Sequence, residues 1–220
     1  MKQVMGWWLP DADTYFQEVF QEQGFVGFQQ DRLDAALQHH REIGGSNVRA
    51  LDIGAHTGMW TRRLAEVFID VIAFEPNAET FACLQANVGH LPNVTLVNAA
   101  LGDEECLVSI DRSYGESNTG GYFVQKDAEG DVRMTTLDRY LNMPPKLVSF
   151  IKIDVEGAEP LVVRGGAETI KASRPTIIME LKKGFVERFS EPPRAAYNAL
   201  VQMGARPVAR WRADHLFSWR

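Results

Sequence analysis

Cysteine is nearly absent: Cys83 and Cys106 stand far apart in 220 residues and match no CxxC or zinc-ligand spacing. That excludes a disulfide framework, and both read as reduced core thiols of a cytoplasmic protein. Long apolar runs are also lacking, none approaching the ~20 residues needed to span a bilayer. The opening MKQVMGWWLP offers one lysine and an apolar patch too short for a signal-peptide core. Nor is there a basic excess. Lys and Arg number 23 against 29 Asp and Glu, and the formal net charge of −6 favours solubility over a nucleic-acid footprint. Repeats, low-complexity stretches and linker-like segments are missing. What is there, 45% hydrophobic residues over the length of one domain, suffices for a normal core. The expectation is a single domain over 1–220, with a helical extension at 1–46 and an α/β core at 47–220.

In the extension, positions 13–22 carry Phe16, Val19 and Phe20 on one helical face and stop at Gly24. Positions 30–41 carry Leu33, Ala36 and Leu37 and stop at Gly44 and Gly45. From residue 48, short apolar runs alternate with helical stripes, the signature of βαβ units and a parallel sheet. The runs fall at 48–54, 69–75, 94–101, 147–154 and 175–181. Helices are expected at 58–68, at 77–88 with Asn77 as N-cap, at 158–172, and from the Pro192–Pro193 pair to Gly204. Two strands should close the chain over 205–219. Residues 103–146 break the alternation and read as a β-rich insertion without a good helix, with strands near 106–110, 121–125 and 132–137. Its polar loop 111–121 follows the third strand and so lies beside the carboxyl edge of the sheet, where open α/β folds bind ligands. Tyr114, Asn118 and Thr119 offer polar groups for a substrate lid there, against the plainer reading of an exposed loop.

The run LDIGAHTG (51–58) ends a strand and opens a helix. Gly54 lets the chain turn tightly, Gly58 lets the helix start close to a ligand, and free N–H groups at that start face the ligand. Glu75, about 20 residues further on at the end of the second run, can accept hydrogen bonds from ribose hydroxyls. A nicotinamide or flavin site wants GxGxxG; here Ala55 and His56 replace the central glycine arrangement. Asp52 would repel a pyrophosphate but suits the ammonium of a methionine moiety. The pattern favours S-adenosylmethionine.

Further along, IKIDVEGAEPLVVRGG (151–166) closely resembles the hallmark of the FkbM family of methyltransferases. LDIGAHTG, AFEP (73–76), NAALGD (98–103), TTLD (135–138) and RPTIIMEL (174–181) fall in that family's order, so the resemblance covers roughly 48–181. It implies a Rossmann-like α/β methyltransferase fold: a mostly parallel seven-stranded sheet with helices on both faces, an antiparallel last strand, and here extra N-terminal helices. S-adenosylmethionine would lie across the carboxyl edge, with O-methylation the commonest chemistry. By the same resemblance Gly54, His56 and Gly58 would surround the methionine end, Glu75 and Pro76 the ribose, and Asn98 and Ala99 the adenine. Where His56 stands, the family more often has Asn. The N-terminal helices and the last 40 or so residues would carry substrate choice.

The candidates for chemistry follow the fourth and fifth runs, which should lie side by side and gather the carboxylates of Asp154, Glu156 and Glu180 near the cofactor's methyl group. Asp154 is the first choice of base, Glu156 the second and Glu180 the third. Residues two apart on a strand share a face, so Lys152 and Asp154 point the same way. Asp154 could hold the cofactor's amino group or accept the substrate proton. Glu156 could be the base or could cap the following helix. Glu180 could be a base or an ion-pair partner of Lys152. Asp154 and Glu156 could bind a divalent cation, but no third ligand is identifiable and none is assigned. His56 reads as a hydrogen-bonding residue before a catalyst. Trp7 and Trp8 form a substrate wall or staple the N-terminal arm. The arginine- and tryptophan-bearing C-terminus suits single-stranded nucleic acid less well than it suits a terminal hairpin. The leading reading is therefore an S-adenosylmethionine-dependent O-methyltransferase acting on a small-molecule, sugar or glycan hydroxyl. Behind it stand a protein or nucleic-acid methyltransferase, a non-catalytic cofactor-binding module, and a nicotinamide oxidoreductase.

Overall fold

The computed structural model describes the chain except residues 28, 114, 116, 143–147 and 183, and describes 25–27 by their backbone alone. Tyr114, expected in the lid, therefore lies outside the described residues. A hairpin, β1 (Lys2–Val4) and β2 (Trp7–Leu9), precedes helices α1 (Tyr15–Gly27) and α2 (Gln30–Glu42). Strand and helix then alternate through β3 (Arg49–Ile53), α3 (Met59–Ala65), β4 (Asp70–Phe74), α4 (Ala78–Val88) and β5 (Val94–Val97). Next come β6 (Ala100–Gly102), β7 (Cys106–Asp111), β8 (Phe123–Lys126), β9 (Val132–Thr136) and α5 (Leu137–Leu141). Alternation resumes with β10 (Phe150–Ile153), α6 (Glu159–Gly165), α7 (Ala167–Ser173), β11 (Thr176–Glu180) and α8 (Ala195–Gln202). A hairpin of β12 (Arg206–Trp211) and β13 (Asp214–Ser218) follows.

Seven strands form one sheet in the order β12-β13-β11-β10-β3-β4-β5. The five from β11 to β5 are parallel, and β13, the last in sequence, runs antiparallel to both its neighbours. The two-residue period of a strand sorts its side chains onto opposite faces. Leu51, Ile53, Ile151, Ile153, Ile177 and Met179 pack with Val162, Val163, Ile170 and Leu200 of α6, α7 and α8. Ala50, Val71, Phe150 and Ile178 pack on the other face with Leu33 and Leu37 of α2 and Leu64 of α3. Burial on both faces explains the near-continuous apolar runs of the parallel strands. The expected Rossmann-like α/β fold is present. The chain leaves β3 towards β4 and β5 and later returns to β10 on the other side of β3. That reversal opens a crevice at the carboxyl ends of β3 and β10.

Several local expectations need correction. The third run, 94–101, divides: β5 joins the main sheet, while β6 joins a separate four-stranded sheet, β6-β9-β7-β8. Residues 103–146 do contain a short helix, α5, capped by the Thr136 hydroxyl. The expected helix 158–172 is two helices, and α8 starts at Ala195, after the prolines rather than on them. The N-terminal extension holds a hairpin as well as helices; at Gly24 the backbone leaves the helical conformation, with φ +71 and ψ +158, so the first helical stretch of α1 stops there as expected. Asn77 is the N-cap of α4 as expected, accepting from the Glu79 N–H at 2.8 Å. Both cysteines are free. Among the described residues no helix is long and apolar enough to cross a membrane.

Candidate active site

The turn at the crevice is built from β3 and braced by β10. Parallel pairing sets Lys152 directly beside Asp52. From there the buried Lys152 ammonium donates to the Gly54 carbonyl at 2.5 Å and lies 3.4 Å from Asp52 and 3.8 Å from Asp154. Burial alone would lower its pKa, but Asp52 and Asp154 outweigh burial and hold the ammonium charged. Gly54 has φ +78, and a Cβ there would overlap the Asp154 carbonyl oxygen, so only glycine lets the two strand ends approach.

Asp52 is fully buried, accepts from the Thr61 hydroxyl at 2.6 Å, and does not line the cavity. Where the sequence reading turned it towards a ligand's ammonium, its charge here faces the Lys152 ammonium 3.4 Å away. Gly58 also stays off the cavity wall. Its φ is +97, and a Cβ would come 2.7 Å from Leu84 Cδ1, so it serves the packing of α4 against the turn. Gly58→Ala should accordingly cost about 1–2 kcal/mol of stability from the backbone conformation. The loss should register as an earlier chemical-denaturation midpoint before any loss of ligand affinity.

Glu75, at the end of β4, ties the turn to the neighbouring strand. One oxygen accepts from the His56 N–H at 2.9 Å, and the other from the Asn77 N–H at 2.9 Å and the Thr80 hydroxyl at 2.8 Å. Burial nonetheless pushes its pKa up, against those hydrogen bonds. Asn98 does not line the cavity; its amide donates to the carbonyls of Glu75 and Pro76 and shapes the end of β4. Gly54, Ala55, His56, Glu75, Pro76 and Ala99 do face the cavity, which measures about 1080 Å³. Trp7 does not; it is buried and donates to the Thr57 hydroxyl at 3.2 Å, a staple rather than a wall.

Across the crevice, Asp154, Glu156 and Glu180 come together, each with an oxygen within 4.8 Å of the others. Glu180 stands beside Asp154 and Glu156 because β10 and β11 are neighbours, as the fourth and fifth runs imply. The positive charge among them is Lys182, bonded to Glu156 and 3.0 Å from Glu180. Glu180 therefore pairs with Lys182 and not, as the alternative had it, with Lys152. The helix-capping role weighed for Glu156 is not taken up: α6 has no side-chain cap, and Glu159 at its start accepts from the N–H groups of Val155 and Gly157 in the preceding turn at 3.4 and 3.1 Å.

The three acids differ in protonation. Burial and the charge of Asp154 push Glu180 up to about 9, so at neutral pH it holds a proton and hydrogen-bonds Asp154. Burial works against Asp154 too, but Lys152 and Lys182 prevail and hold it below the usual carboxylate range. Glu156 stands at φ +54, an uncommon conformation for a residue with a side chain, and is 6% exposed. Its Oε1 accepts from Lys182, whereas Oε2 is buried with no hydrogen-bond partner. Burial, with repulsion from Asp154, pushes this carboxyl up to about 7. Such a group exchanges a proton readily at neutral pH. Lys182, absent from the sequence candidates, was open to detection: it follows Glu180 by two residues, the strand period.

The family model of the Methyltransferase FkbM domain matches residues 52–206. Methyltransferase 1 of Beauveria bassiana (strain ARSEF 2860) is 30% identical over 142 residues, which cover 52% of this chain and 57% of that protein. The chain thus spans little more than half the length of the curated relative it matches. Among solved structures, monomeric WbdD is similar with a TM-score of 0.55 at 13% identity, covering 96% of this chain and 46% of that one. The N-methyltransferase NodS from Bradyrhizobium japonicum WM9 gives 0.51 at 10% identity, covering 87% and 94%. At such identities these likenesses concern the fold alone. With the family match spanning the turn and the acid cluster, the chain belongs to the FkbM methyltransferase family.

Proposed function

We propose that this chain transfers the methyl group of S-adenosylmethionine to a hydroxyl on a small molecule, sugar or glycan, with Glu156 as the base. The observation that carries this reading is the Glu156 carboxyl, raised to about 7 and facing the cavity with one oxygen unpartnered. The residues present fit the cofactor. Glu75 uses three of its roughly four acceptor positions within the protein and keeps one for a ribose hydroxyl. Ala99, Leu101 and Phe74 offer an apolar wall suited to the adenine. When bound, the sulfonium supplies an already activated methyl group. What this chain must add is alignment of the acceptor and removal of its proton, worth several kcal/mol and a further ~10²–10⁴-fold respectively. Glu156 takes the proton, Lys182 steadies the carboxylate before the transfer, and neutral Glu180 keeps a third negative charge out of the cluster.

The test is a transfer screen with methyl-labelled S-adenosylmethionine across glycans, small hydroxylated molecules, lipids, proteins and RNA. Label is expected in hydroxyl-bearing small molecules or glycans. Label confined to protein or RNA would overturn the acceptor assignment. The acidic whole and the pairing of the arginine-bearing terminal segment as the β12–β13 hairpin argue for the same outcome. Association with RNA is expected to be too weak to yield a salt-dependence slope at physiological ionic strength.

A further inference from the structure

Three distant segments meet over the cofactor turn. Asp13, from the loop before α1, is fully buried. Its Oδ1 accepts from the Phe16 N–H at 2.8 Å, and its Oδ2 accepts from both the N–H and the hydroxyl of Thr119, at 3.1 and 2.5 Å. The Thr119 oxygen in turn lies 2.7 Å from His56 Nε2. The same segments are joined twice more: the N–H groups of Thr14 and Tyr15 both donate to the Ser117 carbonyl, and the Phe16 ring lies against the His56 imidazole at 4.7 Å. Phe16, Asn118, Thr119 and His56 all line the cavity.

Chemistry gives this chain of contacts a direction. A carboxylate only accepts, so the Thr119 hydroxyl spends its single proton on Asp13 and can only accept from His56. The His56 ring must then carry its proton on Nε2, leaving Nδ1 bare; Nδ1 is buried and has no partner. A second proton there would be stranded, and burial pushes the His56 pKa down to about 4. His56 is thus a neutral strut, not a base.

We propose that Asp13, Thr119 and His56 form a directed hydrogen-bond latch that ties the N-terminal arm and the 117–121 segment to the cofactor turn, making Asp13 and Thr119 positioning residues for the cofactor. This rests on the reading of the cavity as an S-adenosylmethionine site. Asp13 precedes the family-matched span, so the arm completes a site whose remaining parts lie within it. A buried carboxylate costs several kcal/mol to desolvate, and its hydrogen bonds here go to the two segments that must stay in place.

Two measurements test it. In the free protein, ¹⁵N spectra of the histidine rings, with His56 assigned by its loss in His56→Asn, should show the Nε2–H tautomer. An Nδ1–H ring in the parent protein overturns the latch. In calorimetry, Thr119→Val should weaken S-adenosylhomocysteine binding about three- to tenfold, the worth of one hydrogen bond, while Thr119→Ser retains the parent affinity. Equal affinities in the two variants overturn the positioning role. Failure of the parent protein to bind S-adenosylhomocysteine would count against the cofactor reading and leave the ring spectra to decide the latch.

Discussion

Glu156→Gln should lower the single-turnover rate of methyl transfer by ~10²–10⁴-fold while S-adenosylhomocysteine binds as before. Glutamine keeps the shape and a hydrogen-bond acceptor for Lys182 but cannot take a proton. The pH profile carries the sign. A base acts when ionised, so kcat/KM of the parent enzyme should rise tenfold per pH unit below about 7 and level off above it, where the Glu156 carboxyl has lost its proton. In the variant that limb should vanish. Asp154→Asn and Glu180→Gln separate the roles of the neighbours. Asp154→Asn removes the charge that helps raise Glu156, so the limb should move to lower pH. Glu180→Gln replaces a group that is neutral at pH 7 and should cost less than Glu156→Gln. If Glu156→Gln turns over like the parent while Asp154→Asn does not, Asp154 is the base.

The second large effect is on the cofactor. Glu75→Ala should weaken S-adenosylhomocysteine by more than the ~1.5–3 kcal/mol of a single charged hydrogen bond. On the proposed reading the carboxylate serves two tasks at once, keeping one acceptor position for the ribose while holding the His56 N–H that sets the turn. Glu75→Gln should not restore binding. Three donors converge on this carboxylate, so one end of an amide would turn its own N–H groups towards a donor. Titration calorimetry measures both variants. Affinity within twofold of the parent, or tight NAD binding by the parent in place of S-adenosylhomocysteine, would refute the assignment.

The sequence by itself determined the parallel core, because burial on both faces writes Val-, Ile- and Leu-rich runs whose spacing needs no tertiary knowledge. It also determined the turn at Gly54, the carboxylate at Glu75 and the Asn77 cap, since each is a residue type demanded by local backbone geometry. Where signals overlapped it was less legible: 94–101 reads as one strand, yet the chain changes sheets at Asn98–Ala99, and nothing local marks the exchange of partners. Only the tertiary structure decided which charges meet. Asp52 reads as a ligand contact until strand register sets it beside Lys152, and Glu180 reads as a partner of Lys152 until Lys182 reaches it first. Asp13 carried only the local signal of an acid just before a helix, where it accepts from the Phe16 N–H; its other partners lie 106 and, through Thr119, a further 63 positions away. Propensity and periodicity act over a few residues, whereas a buried charge is defined by whatever the completed fold brings within about 4 Å of it. That is why the turn at Gly54 could be read from the chain, while the surroundings of Glu156 and of Asp13 could not.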